Sequence, residues 1–242
     1  MKKLLKGGQR LCDGRYELRR PLGSGGFSET YEAYDHSYKP PRIVAIKWLL
    51  PGSFGQEQER LRDDFYHECV ILEKIKHPGI IKILELGREE GLPYLVLEYL
   101  NGGTFQNRLS RSKTQSDMYD IDPIKLVDIA ITLSDAMERF HSSGIIHGDI
   151  KPANIGFREL GDQQPVLFDF GHSRFFSFNE ESARNETAAS LPYMPPERIG
   201  FLNSTLKTSS DLYSFGITLY EIATGKMIFT GDSYQEICEK IL

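Results

Sequence analysis

The stretch "IHGDIKPAN", residues 146–154, sets His147, Asp149, Lys151 and Asn154 within one short segment. A carboxylate can accept or orient a hydroxyl proton, an amide oxygen can ligate a hard cation, and a lysine can neutralise a phosphoryl group as its charge shifts. A polar turn after a helix ending near Ser143 would explain one such residue well and all of them poorly. Gly148, between His147 and Asp149, is the position that raises the question of whether the site turns over.

Working outward, "LFDFG" (167–171) ends a short apolar strand in Asp169. Alone, Asp-Phe-Gly is a common turn, but beside Asn154 the Asp169 carboxylate becomes a second candidate ligand for Mg²⁺. Upstream, "LGSGGFSETY" (22–31) places Gly23, Gly25 and Gly26 between two strands. Such a turn can close its backbone over phosphates, and an ordinary hairpin uses the same residues. It lacks the Lys-Ser/Thr ending of a P-loop and enters a strand, not a helix, which argues against both the P-loop and the dinucleotide fingerprint.

"VAIK" (44–47) ends an apolar strand in Lys47, which on its own reads as a snorkelling surface lysine. The spacing of Phe65, Glu68, Leu72 and Ile75 puts Glu68 on the apolar face of a helix expected over Leu61 to Lys76. A carboxylate there needs a cation, and Lys47 is a candidate.

Composition bounds these readings. The chain has 242 residues, 40% of them hydrophobic, with 14 Phe and 12 Tyr, enough for a sizeable core and against a disordered class. Net charge is −5 and the basic residues are scattered, so no nucleic-acid footprint is visible. Lys2, Lys3, Lys6 and Arg10 read as part of a solvated N-terminal tail over residues 1–15. Cys12, Cys69 and Cys238 are far apart and lack metal-ligand spacing, which fits a reducing compartment and a cytoplasmic location. No segment reaches the roughly 18 apolar residues of a membrane span, so no membrane contact is expected of this chain.

From Tyr16 to Glu98 the texture is β-like, with runs "YELRRPLG", "SETYEAYD", "RIVAIKWLL", "IIKILELGREE" and "PYLVLEY" and one helix among them. After Gly102 and Gly103 it turns helical. Leu126, Ile129, Leu133, Met137 and Phe140 repeat at three and four, and "SSDLYSFGITLYEIATG" reads as a second helix, opened by Ser caps and closed by Gly225. Residues 110–120, "SRSKTQSDMYD", read as an exposed loop. The expected class is α+β: a small antiparallel sheet with one helix (16–98), a hinge (99–103) and a mainly α-helical part (104–242).

Together, in this order, the motifs resemble the protein kinase family over residues 16–242, in the eukaryotic-like (Hanks-type) serine/threonine pattern and in a spelling similar to bacterial members. The resemblance implies a two-lobed fold, ATP and Mg²⁺, and a protein substrate offering Ser or Thr. It implies that the loop from Gly23 to Ser28, with Leu22, Gly25, Gly26 and Thr30, covers the nucleotide. Lys47, paired with Glu68, would hold the α- and β-phosphates, and Asp149 would be the catalytic base with Lys151 beside it. Asn154 and Asp169 would carry the metal. Ala45, Leu97 as gatekeeper, Glu98 and Leu100 as hinge backbone, and Gly156 would surround the adenine. Asp211 would brace the catalytic loop, Ser190 would supply a hydroxyl near Asp149, and Thr187 is a candidate phosphosite.

The chain departs from that pattern at defined places. Ser28 stands for the third glycine of the loop. Gly156 stands for a Leu-like side chain under the adenine, a loss of roughly 1–2 kcal/mol of apolar contact, or about tenfold in affinity. Gly148 stands for the arginine that pairs with an activation-loop phosphate, which implies a kinase not switched through that contact. The chain stops at Leu242, before the last helices of the family's C-lobe, so Glu197 is expected to lack its arginine partner and a further domain or partner to complete that lobe. Two alternatives remain: a pseudokinase that binds nucleotide without turnover, and a small-molecule kinase of the aminoglycoside phosphotransferase type, which commonly spells its loop His-Gly-Asp. Lys151-Pro152, Asp-Phe-Gly and "YMPPE" (193–197) stand against the latter.

Overall fold

The structure, a computed structural model, describes residues 7–24, 28–49, 65–66, 68–89, 91–114, 121–175, 190–199 and 206–242. Gly25, Gly26 and Thr187 lie outside them. The chain divides into two compact units, residues 1–76 with 81–100, and residues 77–80 with 101–242.

The first unit is an antiparallel sheet of β1 (Arg10–Leu11), β2 (Tyr16–Ser24), β3 (Ser28–Asp35), β4 (Arg42–Leu49), β5 (Ile83–Glu89) and β6 (Leu92–Glu98), ordered β1-β2-β3-β4-β6-β5. Strand alternation sorts the residues by face. Tyr31 and Ala33 of β3, Val44, Ile46 and Trp48 of β4, and Tyr94 and Val96 of β6 form one apolar cluster with Leu11, Tyr16 and Leu18. Trp48 stacks on Tyr94 with ring centroids 5.8 Å apart. Gly87, paired with Tyr94, leaves room for that phenol: a Cβ there would lie 2.1 Å from the ring. The tail reading fails at residues 10–11, because Leu11 is buried in this cluster and the Cys12 N–H donates to Glu89 Oε2 at 3.0 Å. Two residues are too short for a strand period to show in sequence. Residues 65, 66 and 68–74 are helical (α1), with Phe65, Glu68 and Leu72 buried, and Ile75, just after it, buried as well.

The second unit holds α2 (Phe105–Thr114), α3 (Pro123–His141), α4 (Thr208–Thr224) and α5 (Tyr234–Ile241), with short strands β7 (Ile145–Ile146), β8 (Ile155–Phe157), β9 (Pro165–Leu167) and β10 (Arg174–Phe175). The expected α+β class holds, a sheet with one helix followed by a mostly helical unit. The loop expected over 110–120 gives way to helix as far as Thr114. A reciprocal cap starts α2, with the Thr104 N–H donating to Asn107 Oδ1 at 2.9 Å and the Asn107 N–H to Thr104 Oγ1 at 3.1 Å, while Phe105 and Leu109 anchor it in the core. In α3 the buried stripe is Ile129, Leu133, Ala136, Met137 and Phe140, and Asp122 caps its start by accepting from the Ile124 N–H at 2.9 Å. Ile124, Val127 and Ile131 of α3 are exposed. α4 begins at Thr208, and Gly225 (φ 68°) ends it in the left-handed region. Among the described residues no helix is long and apolar enough to cross a membrane.

Candidate active site

In the first unit, register gathers several of the expected nucleotide-binding residues on one sheet face. Gly23 pairs with Thr30, Thr30 with Lys47, and Lys47 with Leu95. Two residues along, Glu32 pairs with Ala45 and Ala45 with Leu97. By alternation Thr30, Ala45, Lys47 and Leu97 point away from the Trp48–Tyr94 cluster. Lys47 Nζ donates to Glu68 Oε1 at 2.9 Å and Oε2 at 2.8 Å, with Glu68 only 3% exposed. Burial makes this pairing obligatory, because either charge alone would remain desolvated. Leu22 is exposed on β2, the Glu98 N–H donates to the Lys82 carbonyl while Glu98 Oε1 accepts the Lys82 N–H, each at 3.0 Å, and Leu100 follows β6 half-buried.

In the second unit, Asp149 is the centre of a fixed arrangement. Lys151 Nζ donates to Asp149 Oδ2 at 2.7 Å and to Ser190 Oγ at 2.6 Å. The Asn154 amide nitrogen donates to the Asp149 backbone carbonyl and to Asp149 Oδ2, both at 2.8 Å. Because both acceptors need an N–H, the orientation of the Asn154 amide is fixed, and its Oδ1 is turned away from Asp149. An amide oxygen presented this way suits a hard cation such as Mg²⁺. Asp169 stands in the left-handed region at φ 64°, a costly conformation for a residue with a Cβ, and the next side chain, Phe170, packs against His147 with centroids 4.6 Å apart. Gly156 is buried in β8, paired with Val166 and bridged to Thr104.

The loop that carries Asp149 is held from α4. Asp211, 1% exposed, accepts the His147 N–H on Oδ2 and the Gly148 N–H on Oδ1, each at 2.8 Å, and contacts His141 Nε2 at 2.8 Å. Further along the same helix, Ser214 Oγ donates to the Tyr193 carbonyl at 2.8 Å, Thr218 Oγ1 to the Ile150 carbonyl at 3.2 Å, and Glu221 accepts from the Tyr193 hydroxyl at 2.5 Å. These polar residues share the inward face of an otherwise apolar helix. Burial and the Glu221 bond push the Tyr193 hydroxyl well above its usual pKa.

His147 is fully enclosed, and burial pulls its pKa below the ordinary imidazole value despite the opposing pull of Asp211, Asp149 and Asp169. Nε2 faces the Phe168 carbonyl at 3.3 Å and so carries the proton, while Nδ1 accepts the Asp149 N–H at 3.3 Å.

The unpaired Glu197 expected from sequence is not what the structure shows: Ser210 Oγ donates to Glu197 Oε1 at 2.6 Å. The hydroxyl comes from the first turn of α4, adjacent to Asp211. Sequence reasoning also passed over His141 and Arg198. The latter donates from Nη1 to the Gly148 carbonyl at 3.4 Å. Neither stands in a recognisable motif, and only the fold brings His141 to Asp211 and Arg198 to the loop.

The comparisons agree on one family. The protein kinase domain profile matches residues 16–242. The chain is 32% identical over 224 residues to a probable serine/threonine-protein kinase of Clostridium perfringens, covering 93% of this chain and 31% of that protein. It is 32% identical over 229 residues to the serine/threonine-protein kinase PrkC of Bacillus subtilis, covering 95% and 33%. It is 30% identical over 226 residues to a probable serine/threonine-protein kinase PknB of Lactococcus lactis, covering 93% and 34%. The chain spans about a third of the length of these relatives.

Proposed function

Because the chain belongs to the protein kinase domain family, we propose that it transfers the γ-phosphoryl group of ATP to serine or threonine hydroxyls of a protein substrate. The observation that carries this reading is the Lys151–Asp149–Asn154 arrangement. Both side-chain bonds that fix Asp149 fall on Oδ2, which leaves Oδ1 to accept the proton of an incoming hydroxyl. As that proton leaves, the substrate oxygen forms its bond to the γ-phosphorus, the bond to the β–γ bridging oxygen breaks, and ADP departs. Lys151 neutralises charge on the moving phosphoryl group, and Ser190 keeps its ammonium in place.

Asn154 Oδ1 and the Asp169 carboxylate are the residues that would hold Mg²⁺, whose charge offsets that of the phosphates when it is bound. Lys47, oriented by Glu68, holds the α- and β-phosphates. The loop of Gly23, Gly25 and Gly26 with Leu22 and Thr30 covers the nucleotide, and Ala45, Leu97, Glu98, Leu100 and Gly156 receive the adenine. The units assigned to this activity are 16–98, the connection 99–103, and 104–242.

Gly148 offers no cation to an activation-loop phosphate, so the activity is not switched through that contact. The exposed Ile124, Val127 and Ile131 support a further segment or a partner covering α3. Cys12, Cys69 and Cys238 are free thiols, which supports placing the domain in the reducing cytoplasm.

The test is transfer of labelled γ-phosphate to a generic basic protein in the presence of Mg²⁺, followed by phosphoamino-acid separation, with Asp149→Ala as control. Label on serine and threonine that vanishes in the control is the expected result. Nucleotide binding without transfer would replace this reading with the pseudokinase one.

A further inference from the structure

Gly148 sits at φ 78°, in the left-handed region that glycine enters freely. The same freedom leaves the peptide joining residue 148 to Asp149 undirected by any side chain at 148, so other groups must orient it. The Asp149 N–H side of that peptide is held by His147 Nδ1 at 3.3 Å. The Gly148 carbonyl side is held by Arg198 Nη1 at 3.4 Å, a bond assisted by a charge that does not titrate.

Arg198 is itself part of a closed circuit. It ends the short helical turn Pro196–Arg198. Its neighbour Glu197 accepts from Ser210 at 2.6 Å, and the residue after Ser210, Asp211, accepts the Gly148 N–H at 2.8 Å. Gly148 is thus gripped at its N–H and at its C=O by two consecutive pairs of residues, Ser210–Asp211 and Glu197–Arg198, that are hydrogen-bonded to each other. A glycine between two anchored peptide groups cannot flip without breaking the circuit.

We propose that Arg198 is a positioning residue for Asp149, fixing the 148–149 peptide plane from the end of the 190–199 segment in place of a side chain at residue 148. The proposal rests on the reading of Asp149 as the base. It implies that whatever shifts residues 190–199 is transmitted to the base through the Gly148 carbonyl.

The test compares wild type with Arg198→Met, which keeps the aliphatic stem and loses the donors, and Arg198→Lys, which keeps a charge. Amide hydrogen exchange is the first readout. Exchange at Asp149 is expected to quicken by about tenfold or more in the Met variant, less in the Lys variant, and to stay unchanged in the α4 amides of Thr218 and Ile222. In the transfer assay kcat is expected to fall about tenfold in Arg198→Met with KM for ATP within about twofold, and to recover in part in Arg198→Lys.

Unchanged Asp149 exchange, unchanged kcat, or exchange that quickens equally along α4 in both variants would each overturn the proposal, the last by showing a purely structural role. A wild-type protein that transfers no phosphate would instead overturn the kinase reading, while the exchange comparison still decides whether Arg198 orients the peptide.

Discussion

The Gly148 N–H points at Asp211 Oδ1 from 2.8 Å, and Oδ2 of the same carboxylate takes the N–H of His147 at the same distance. One buried side chain therefore sets the direction of two successive peptides just before the proposed base. In Asp211→Asn one of these acceptors becomes an N–H group facing another N–H. Loss of the charge and of one bond at a 1% exposed site is expected to cost about 2–4 kcal/mol. Urea unfolding of both proteins measures it, and an Asn variant as stable as wild type would contradict the clamp.

Lys47 and Glu68 predict a separation of stability from activity. In Lys47→Met the Glu68 carboxylate, 3% exposed, is left without its ammonium, and a loss of about 3 kcal/mol is expected. Lys47→Met combined with Glu68→Leu removes both charges and should regain most of that stability. Both variants should lack phosphoryl transfer. A double variant less stable than the single one would show that the two residues do not depend on each other for burial.

His147 predicts an acid-side loss of stability. Its pKa is lowered in the folded state by burial, so the unfolded chain takes up the proton first as pH falls. The contribution of the neutral ring is thus complete above about pH 6.5 and declines progressively below it. Unfolding free energies measured from pH 7.5 downward should drop, and the His147 ring signals in an NMR titration should remain those of neutral imidazole below pH 6.5. Ring protonation at or above the ordinary value would remove the explanation.

Gly148 predicts indifference to phosphatase. Treated protein and Thr187→Ala should keep transfer rates within about twofold of untreated wild type, because no arginine precedes Asp149 to answer a loop phosphate. A large loss in both preparations would mean that another cation does so.

The candidate residues of the 146–154 stretch and the Lys47–Glu68 pair are legible in sequence for a simple reason: each is written locally. Lys47 ends the apolar strand run "VAIK" and Glu68 has its place on an apolar helix face, while Thr30, Ala45 and Leu97 are implied by the family resemblance and share a face with Lys47 through the register of the sheet. Asp149, Lys151 and Asn154 are neighbours along the chain. What escaped depends on distance in sequence or on brevity. His141 meets Asp211, and Arg198 meets the Gly148 carbonyl, across long stretches of chain. Glu197 finds Ser210 where a missing arginine had been expected. β1 is two residues long, and the second half of α2 is polar, continued by a capped start and two buried anchors and not by a periodic apolar stripe.

The stack of Trp48 on Tyr94 has a use beyond packing. Trp48 is the chain's single tryptophan, and it is buried in the sheet of the first unit. Its fluorescence therefore reports on that unit alone, whereas far-ultraviolet dichroism sums the helices and strands of both. Followed together through a melt, the two signals would show whether the sheet and the helical unit come apart as one body or in turn, with the chain supplying its own optical label.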